Sequence, residues 1–255
     1  MNPVLGSMRR AVRWMARLRP ARVHSGPGAG LRLFLGRASA GYDLGVSELA
    51  VQEFLVANLG PGGVLYDVGA NIGFFALLGA RLAGEHGRVI AFEPVPENAD
   101  AVRRNAALNG FENVFVRDVA VGRACGTVDL VLTHHPGGAT LASVGEPPDA
   151  RGVVRVVSKS IDALVEREGL PTPTVIKIDV EGAELEVLAG MERTAQRWRP
   201  AVVCEVDAQT REEAEAKARG VEDRLRAWGY APSRLPESYA GSSWSVLHVG
   251  ARGQA

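Results

Sequence analysis

Residues 64–75 read Val64-Leu65-Tyr66-Asp67-Val68-Gly69-Ala70-Asn71-Ile72-Gly73-Phe74-Phe75, and this stretch decides the fold. An apolar run ending in an acid is followed by a turn of small residues and then by apolar residues at helical spacing. That order predicts a buried strand, a tight turn and a helix start, the opening of a βαβ unit. Gly69 and Gly73 supply turn conformations and a close backbone approach that a side chain would block. Asn71 between them tolerates left-handed geometry or caps the helix. The turn lies at the carboxyl end of its strand, where open α/β sheets place their ligands. Asp67 is positioned there to accept hydrogen bonds from a ligand or from the turn's own amides.

The turn also discriminates between ligands. A dinucleotide fingerprint needs G-x-G-x-x-G, so that backbone amides and a helix N-terminus face a pyrophosphate. Here an acid, Asp67, stands in place of the first glycine, and an acid repels phosphate. S-adenosylmethionine (SAM), which has a sulfonium, an ammonium and no phosphate, suits such a turn. Downstream, Arg88 to Phe92 is the second strand and Glu93-Pro94 closes it. An acid about 20 residues beyond the glycine turn is placed to accept from both ribose hydroxyls of an adenosine. Glu93 has that role in either a SAM or a nicotinamide-dinucleotide reading.

Working outward, Pro96-Glu97-Asn98 starts a helix that ends at Asn109-Gly110, and Asn113 to Arg117 is the third strand. Asp118 and Val119 follow it, an acceptor for an adenine amino group and an apolar contact for the ring, with an ordinary surface turn as the alternative. Thr127 to Leu132 and Val153 to Ser158 read as two strands joined by a Gly/Pro-rich loop from His134 to Gly152. A loop that long in a compact domain suits a lid or a substrate loop, or is disordered. His134 and His135 have no second set of metal ligands nearby and read as surface histidines. Thr174 to Asp179 is the fourth strand, with Lys177 inside it and Asp179, Glu181 and Glu184 at or just past its end. Buried charges are seldom unpaired, so Lys177 is expected to meet Asp67 or one of these carboxylates. Strand five, Ala201 to Val206, brings Glu205 to the same edge. Gly229-Tyr230 begins strand six, and Ser243 to Val249 forms the last strand.

The 255-residue chain has 46% hydrophobic and 23% charged residues and no formal net charge. That is an ordinary globular composition and indicates no general affinity for nucleic acid. The two cysteines, Cys125 and Cys204, fit neither a zinc site nor a disulfide framework, consistent with a reducing, cytoplasmic setting. Cys204 lies in an apolar run and reads as a core thiol. Arg9, Arg10, Arg13, Arg17, Arg19 and Arg22 precede the first acid, Asp43. Residues 1–45 therefore read as a basic extension, helical or mobile, with peripheral membrane contact as a second reading. Residues 46–250 form the expected domain, and residues 251–255 a frayed end.

Three blocks carry a resemblance. Asp67-Val68-Gly69-Ala70-Asn71-Ile72-Gly73, Ala91-Phe92-Glu93-Pro94 with Asn98, and Lys177-Ile178-Asp179-Val180-Glu181-Gly182-Ala183-Glu184 together resemble the FkbM family of SAM-dependent methyltransferases. The resemblance implies a class I methyltransferase fold, an α/β Rossmann-like doubly wound sheet of seven strands with the last antiparallel. It implies methyl transfer to oxygen on a small-molecule, sugar or lipid-linked acceptor with a hydroxyl. It also implies that Asp67, Gly69 and Asn71 surround the methionine moiety, with Gly73 completing the turn. Glu93 would hold the ribose with Asn98 beside it, and Asp118 and Val119 would lie at the adenine. Asp179, Lys177, Glu181 and Glu205 are the catalytic candidates, with Asp179 the first choice as base. No motif demands a metal. A nicotinamide oxidoreductase and a non-catalytic methyltransferase-fold subunit stay open as alternatives, and the oligomeric state is not legible.

Overall fold

The computed structural model describes residues 19–35, 41–133, 139–142, 150–236 and 245–252. Two short strands, β1 (Ala21–Arg22) and β2 (Arg32–Leu33), pair antiparallel ahead of helix α1 (Leu49–Asn58). The glycine-turn stretch then folds as read, with β3 (Val64–Val68) running into α2 (Phe74–Ala83). The alternation continues through β4 (Arg88–Phe92), α3 (Pro96–Asn109) and β5 (Val114–Arg117). After an inserted sheet come α4 (Ile161–Glu166), β10 (Val175–Ile178), α5 (Glu184–Ala189) and α6 (Glu192–Trp198). The domain closes with β11 (Ala201–Ala208), α7 (Arg211–Ala227), β12 (Ala231–Arg234) and β13 (Ser245–Arg252).

The seven-stranded sheet has the order β12-β13-β11-β10-β3-β4-β5. Its central strands are parallel, and β13 runs antiparallel between β11 and β12. Apolar side chains cover both faces, as parallel sheets require. Leu65, Val89, Ala91, Val175 and Val203 pack under α1, α2 and α3, whereas Tyr66, Ile90, Phe92, Ile176, Val202 and Cys204 pack under α4 to α7. Cys204 is a core thiol, as expected, and Cys125 is exposed.

The inserted sheet consists of β6 (Ala120–Val121), β7 (Gly126–Thr133), β8 (Ala139–Leu141) and β9 (Ala150–Lys159), in the order β6-β9-β7-β8. The two expected strands are β7 and β9, paired antiparallel with a register shift at Leu132/Thr133. Their connection is not a plain loop. Ala139–Leu141 pair with Leu130–Leu132, and β9 begins at Ala150. His134 and His135 lie outside the described residues.

The reading of residues 1–45 as one helical or mobile extension needs correction. Val23, Leu31 and Leu33 are buried in the cluster that contains Phe54, Leu55 and Phe74. Asn105 and Asn109 of α3 hydrogen-bond the backbone of Phe34 and Arg32. Residues 21–35 thus belong to the domain, because three apolar side chains and a strand edge find partners on it. The basic residues up to 18 lie outside the described residues. Glu48 occupies the position before α1 in left-handed geometry with no side-chain cap.

Gly69 marks the closest approach of two functional turns. Its φ is 78°, and a Cβ there would lie 1.8 Å from the carbonyl oxygen of Asp179. Gly69→Ala is therefore expected to cost more than the ~1–3 kcal/mol of left-handed strain alone. Urea unfolding measures this, and a loss below that range would contradict the contact.

Candidate active site

Strand alternation assembles the site. Lys177 is registered beside Asp67 on one side and Val203 on the other. A period of two then places Asp179 and Glu205 on the same face, toward the carboxyl ends. The antiparallel partner of Glu205 is His248. Five chemistry-bearing residues from four strands therefore meet at one end of the sheet, and the start of α1 adds Glu48.

Lys177 is the centre of this cluster. Its Nζ lies 2.9 Å from Asp179 Oδ2 and 3.6 Å from Asp67 Oδ1, and 4.8 Å from the centre of the Phe75 ring. Burial alone would lower its pKa, but Asp179, Asp67 and Glu48 outweigh it and hold the ammonium above its ordinary range. The expectation that Lys177 meets a carboxylate is thus met by two of them. Asp67 is fully buried beneath the turn, and burial raises its pKa to about 6 against the pull of Lys177. It pairs with Lys177 and is not among the residues that line the cleft.

The cleft opens beside this cluster. It spans about 670 Å³ including the open solvent at its mouth. Val68 at the end of β3 and Gly69 and Asn71 of the turn line it, together with Phe92 at the end of β4 and Glu93 and Pro94 after it. Val119, Ala120, Val121, Leu130 and Ala139 form an apolar wall, and Asp179, Val180, Glu181 and Ala183 form the far end. The lining contains three carboxylates and, among the described residues, no basic side chain.

Glu93 is held in place by its surroundings. Its two carboxylate oxygens accept from the amides of Asn71 and Val95 at 2.8 and 2.9 Å, and Asn98 adds a side-chain hydrogen bond. Burial nevertheless raises its pKa to about 7. Asn71 has the left-handed geometry anticipated for it, with φ 50°. Gly73, φ 91°, is the residue before α2 and packs on Val102 without lining the cleft. Asp118 is ion-paired with Arg103, so its side chain is engaged on α3, while Val119 does line the cleft. Glu181 adopts φ 48°, and its carbonyl accepts from Thr140 Oγ1 at 2.7 Å, which ties β8 to the acidic turn. Glu184 turns back to accept from the amide of Gly182 at 2.7 Å and is buried.

Glu205 is joined by residues that were not singled out from the sequence. Its Oε2 lies 2.7 Å from His248 Nε2, and Glu48 hydrogen-bonds it from the start of α1. Asp207 completes the group; Asp179, Glu205 and Asp207 each bring one carboxylate oxygen within 4.8 Å of the others. Burial, then Glu181 and Asp179, raise the pKa of Asp207 to about 9. Glu48 and His248 had one available signal, a polar residue interrupting an apolar pattern. Their convergence depends on register and could not be read from either segment alone.

The strand order, with its antiparallel seventh strand, and an acid-lined cleft at the carboxyl ends define a class I methyltransferase fold. Solved structures agree. The chain superposes on the methyltransferase FkbM from Methylobacillus flagellatus with a TM-score of 0.51 and 17% identity, covering 84% of this chain and 56% of that one. Residues 67–232 match the Methyltransferase FkbM domain, and the chain belongs to that family. Among curated relatives, it is 34% identical to the hexuronic acid methyltransferase AglP of Haloferax volcanii, over 58% of each chain. It is 29% identical to the 31-O-demethyl-FK506 methyltransferase FkbM of Streptomyces tacrolimicus, over 64% of this chain and 75% of the relative. The AMB antimetabolite synthetase AmbE of Pseudomonas aeruginosa is 27% identical over 78% of this chain, which spans 11% of that much longer protein. Among the described residues, no helix is long and apolar enough to cross a membrane.

Proposed function

We propose that the protein binds SAM in this cleft and transfers its methyl group to a hydroxyl oxygen of a small-molecule, sugar or lipid-linked acceptor. The observation that carries this reading is the lining, with three carboxylates and no basic side chain among the described residues. A pyrophosphate would meet repulsion there, whereas an ammonium and a sulfonium would not. This disfavours the nicotinamide alternative. The names of AglP and of the Streptomyces relative support methyl transfer, and the latter supports transfer to oxygen.

SAM, when bound, supplies an electrophilic methyl group. The rest falls to the chain's own residues. Glu93, held by two backbone amides, accepts from the ribose hydroxyls, and Asn71 and Gly69 bring backbone close to the ligand. Val119 covers the adenine side. The acidic end, Asp179 with Glu205 behind it, receives the proton that the acceptor loses as its oxygen attacks. Lys177 holds Asp179 in place. The inserted sheet contributes Leu130 and Ala139 to the wall, so acceptor choice is assigned to it.

Two outcomes test the cofactor assignment. Glu93→Ala should weaken SAM binding by roughly 10–100-fold, the worth of hydrogen bonds to a charged group. Because Glu93 titrates near pH 7 in the free protein and ribose hydroxyls favour its carboxylate, SAM affinity should rise through pH 7 and level off above it. The gain between pH 6 and 8 is up to about tenfold, and Glu93→Gln should flatten it. Calorimetric titration across this range decides; an affinity that falls with pH would contradict the role of Glu93.

A further inference from the structure

Behind the acidic end of the cleft, three side chains from separate parts of the chain meet out of solvent. Glu48 enters from the residue before α1, Glu205 from β11 and His248 from β13, and one polar atom of each lies within 4.8 Å of the other two. Glu48 and His248 are almost completely buried. The contacts are direct hydrogen bonds: His248 Nε2 to Glu205 Oε2 at 2.7 Å, and the Glu48 carboxyl to Glu205. Two carboxylates in hydrogen-bond contact cannot both stay ionised in a buried site, so one of them carries a proton.

We propose that Glu48 and His248 are positioning residues that act through Glu205: Glu48 carries the proton, neutral His248 donates from Nε2, and Glu205 keeps the charge beside Asp179. This rests on the methyl-transfer reading for its purpose, although the protonation pattern stands without it. The surroundings favour this distribution. Glu205 faces Lys177 and Asp179 from β10, Asp207 from its own strand, Glu48 from α1 and His248 from β13. Burial, Asp179 and Asp207 raise Glu205 well above the ordinary carboxylate range, and Lys177 and the hydrogen bond from Glu48 are the influences that favour its charge. Glu48 is more deeply enclosed, and burial, Glu205 and Asp179 favour its protonated form against the pull of Lys177 and His248. Burial also keeps His248 neutral. On the far side, Lys217 of α7 bonds the backbone of Asp207, and Glu184, the first residue of α5, bonds the amide of Gly182.

During transfer the acceptor O–H bond breaks as the O–CH₃ bond forms and the C–S bond of the sulfonium opens. The electron pair of that bond stays on sulfur as a neutral thioether. The proton passes to Asp179 or Glu205, so one carboxylate is neutralised as one cation disappears. Glu48 and His248 make this possible by keeping Glu205 ionised in a place where burial would otherwise protonate it.

The test reads protonation in the free protein at pH 7.5, without SAM or acceptor, so its failure is distinct from failure of SAM binding. Nitrogen-15 NMR of histidine-labelled wild type should show His248 neutral with its proton on Nε2, and this measurement needs no variant at position 48. Infrared difference spectra should show loss of one protonated-carboxyl band in Glu48→Gln and none in Glu205→Gln. Circular dichroism would establish that each variant folds. His248→Gln should leave the Glu48 band and shift its frequency. A doubly protonated His248, a band lost in Glu205→Gln instead, or His248 signals displaced by added Mg²⁺ would overturn the proposal.

Discussion

Lys177→Met is expected to cost about 3–5 kcal/mol of unfolding free energy, the usual penalty for removing one partner of a buried ion pair. The substitution nearly conserves volume, so packing loss adds little. What it leaves behind is Asp67, fully buried, and Asp179, whose partner at 2.9 Å is gone. The sign of the pH dependence follows from Asp67. Even with Lys177 present, its folded-state pKa is raised from 3.8 to about 6, and without the ammonium it moves higher. A carboxyl with a raised folded pKa binds more protons when folded than when unfolded, so stability falls as pH rises between the two values. The variant should therefore be most deficient above neutral pH and recover part of its loss toward pH 5. Urea unfolding at both ends of that range measures it. A uniform loss, or one that grows with acidification, would contradict the pairing of Lys177 with Asp67.

Asp179→Asn is expected to lower the rate of methyl transfer by roughly 10²–10⁴-fold, the range for losing a positioned general base. SAM affinity should change by less than about tenfold, because Glu93 and the glycine turn hold the other end of the ligand. Asparagine keeps the size and one hydrogen-bond acceptor for Lys177, so the fold should survive. Single-turnover transfer to any hydroxylated acceptor that the wild type methylates, alongside calorimetry, separates the two effects. Equal loss of rate and affinity would make Asp179 a binding residue, and no loss of rate would remove it from the reaction.

Residue pattern and structure agree most closely where function rests on contiguous residues. Asp67 to Gly73, Glu93 with Asn98, and Lys177 to Glu184 each combine strand, turn and helix start in one short segment, and local chemistry dictates their shapes. Asn71 at φ 50° and Gly69 at φ 78° are turn geometries that the residue types themselves announce. The doubly wound sheet follows from the same alternation of strands and helices. Where agreement fails, the determinant is tertiary. Val23, Leu31 and Leu33 sit among glycines and arginines, and only the open face beside Phe54 and Phe74 makes them core residues. Strand β8 is three residues long, too short to announce itself without the edge of β7 to pair with. Glu48 stands just before a helix, and His248 is a polar residue inside the final strand. Each gains its role from register, since His248 stands opposite Glu205 and Glu205 lies two residues beyond the partner of Lys177. Asp67 shows the converse case. Its position at a strand end suggested ligand contact, yet full burial against Lys177 makes it the anchor beneath the cleft.

The central claim is that an acid-lined cleft at the carboxyl ends of β3, β4 and β10 holds SAM through Glu93. Isothermal titration of the purified protein with SAM, beside NAD and beside the Glu93→Ala variant, tests it most directly. The account predicts SAM binding, much weaker binding to Glu93→Ala, and none of NAD. NAD binding by the folded protein, or no SAM binding at all, would contradict it.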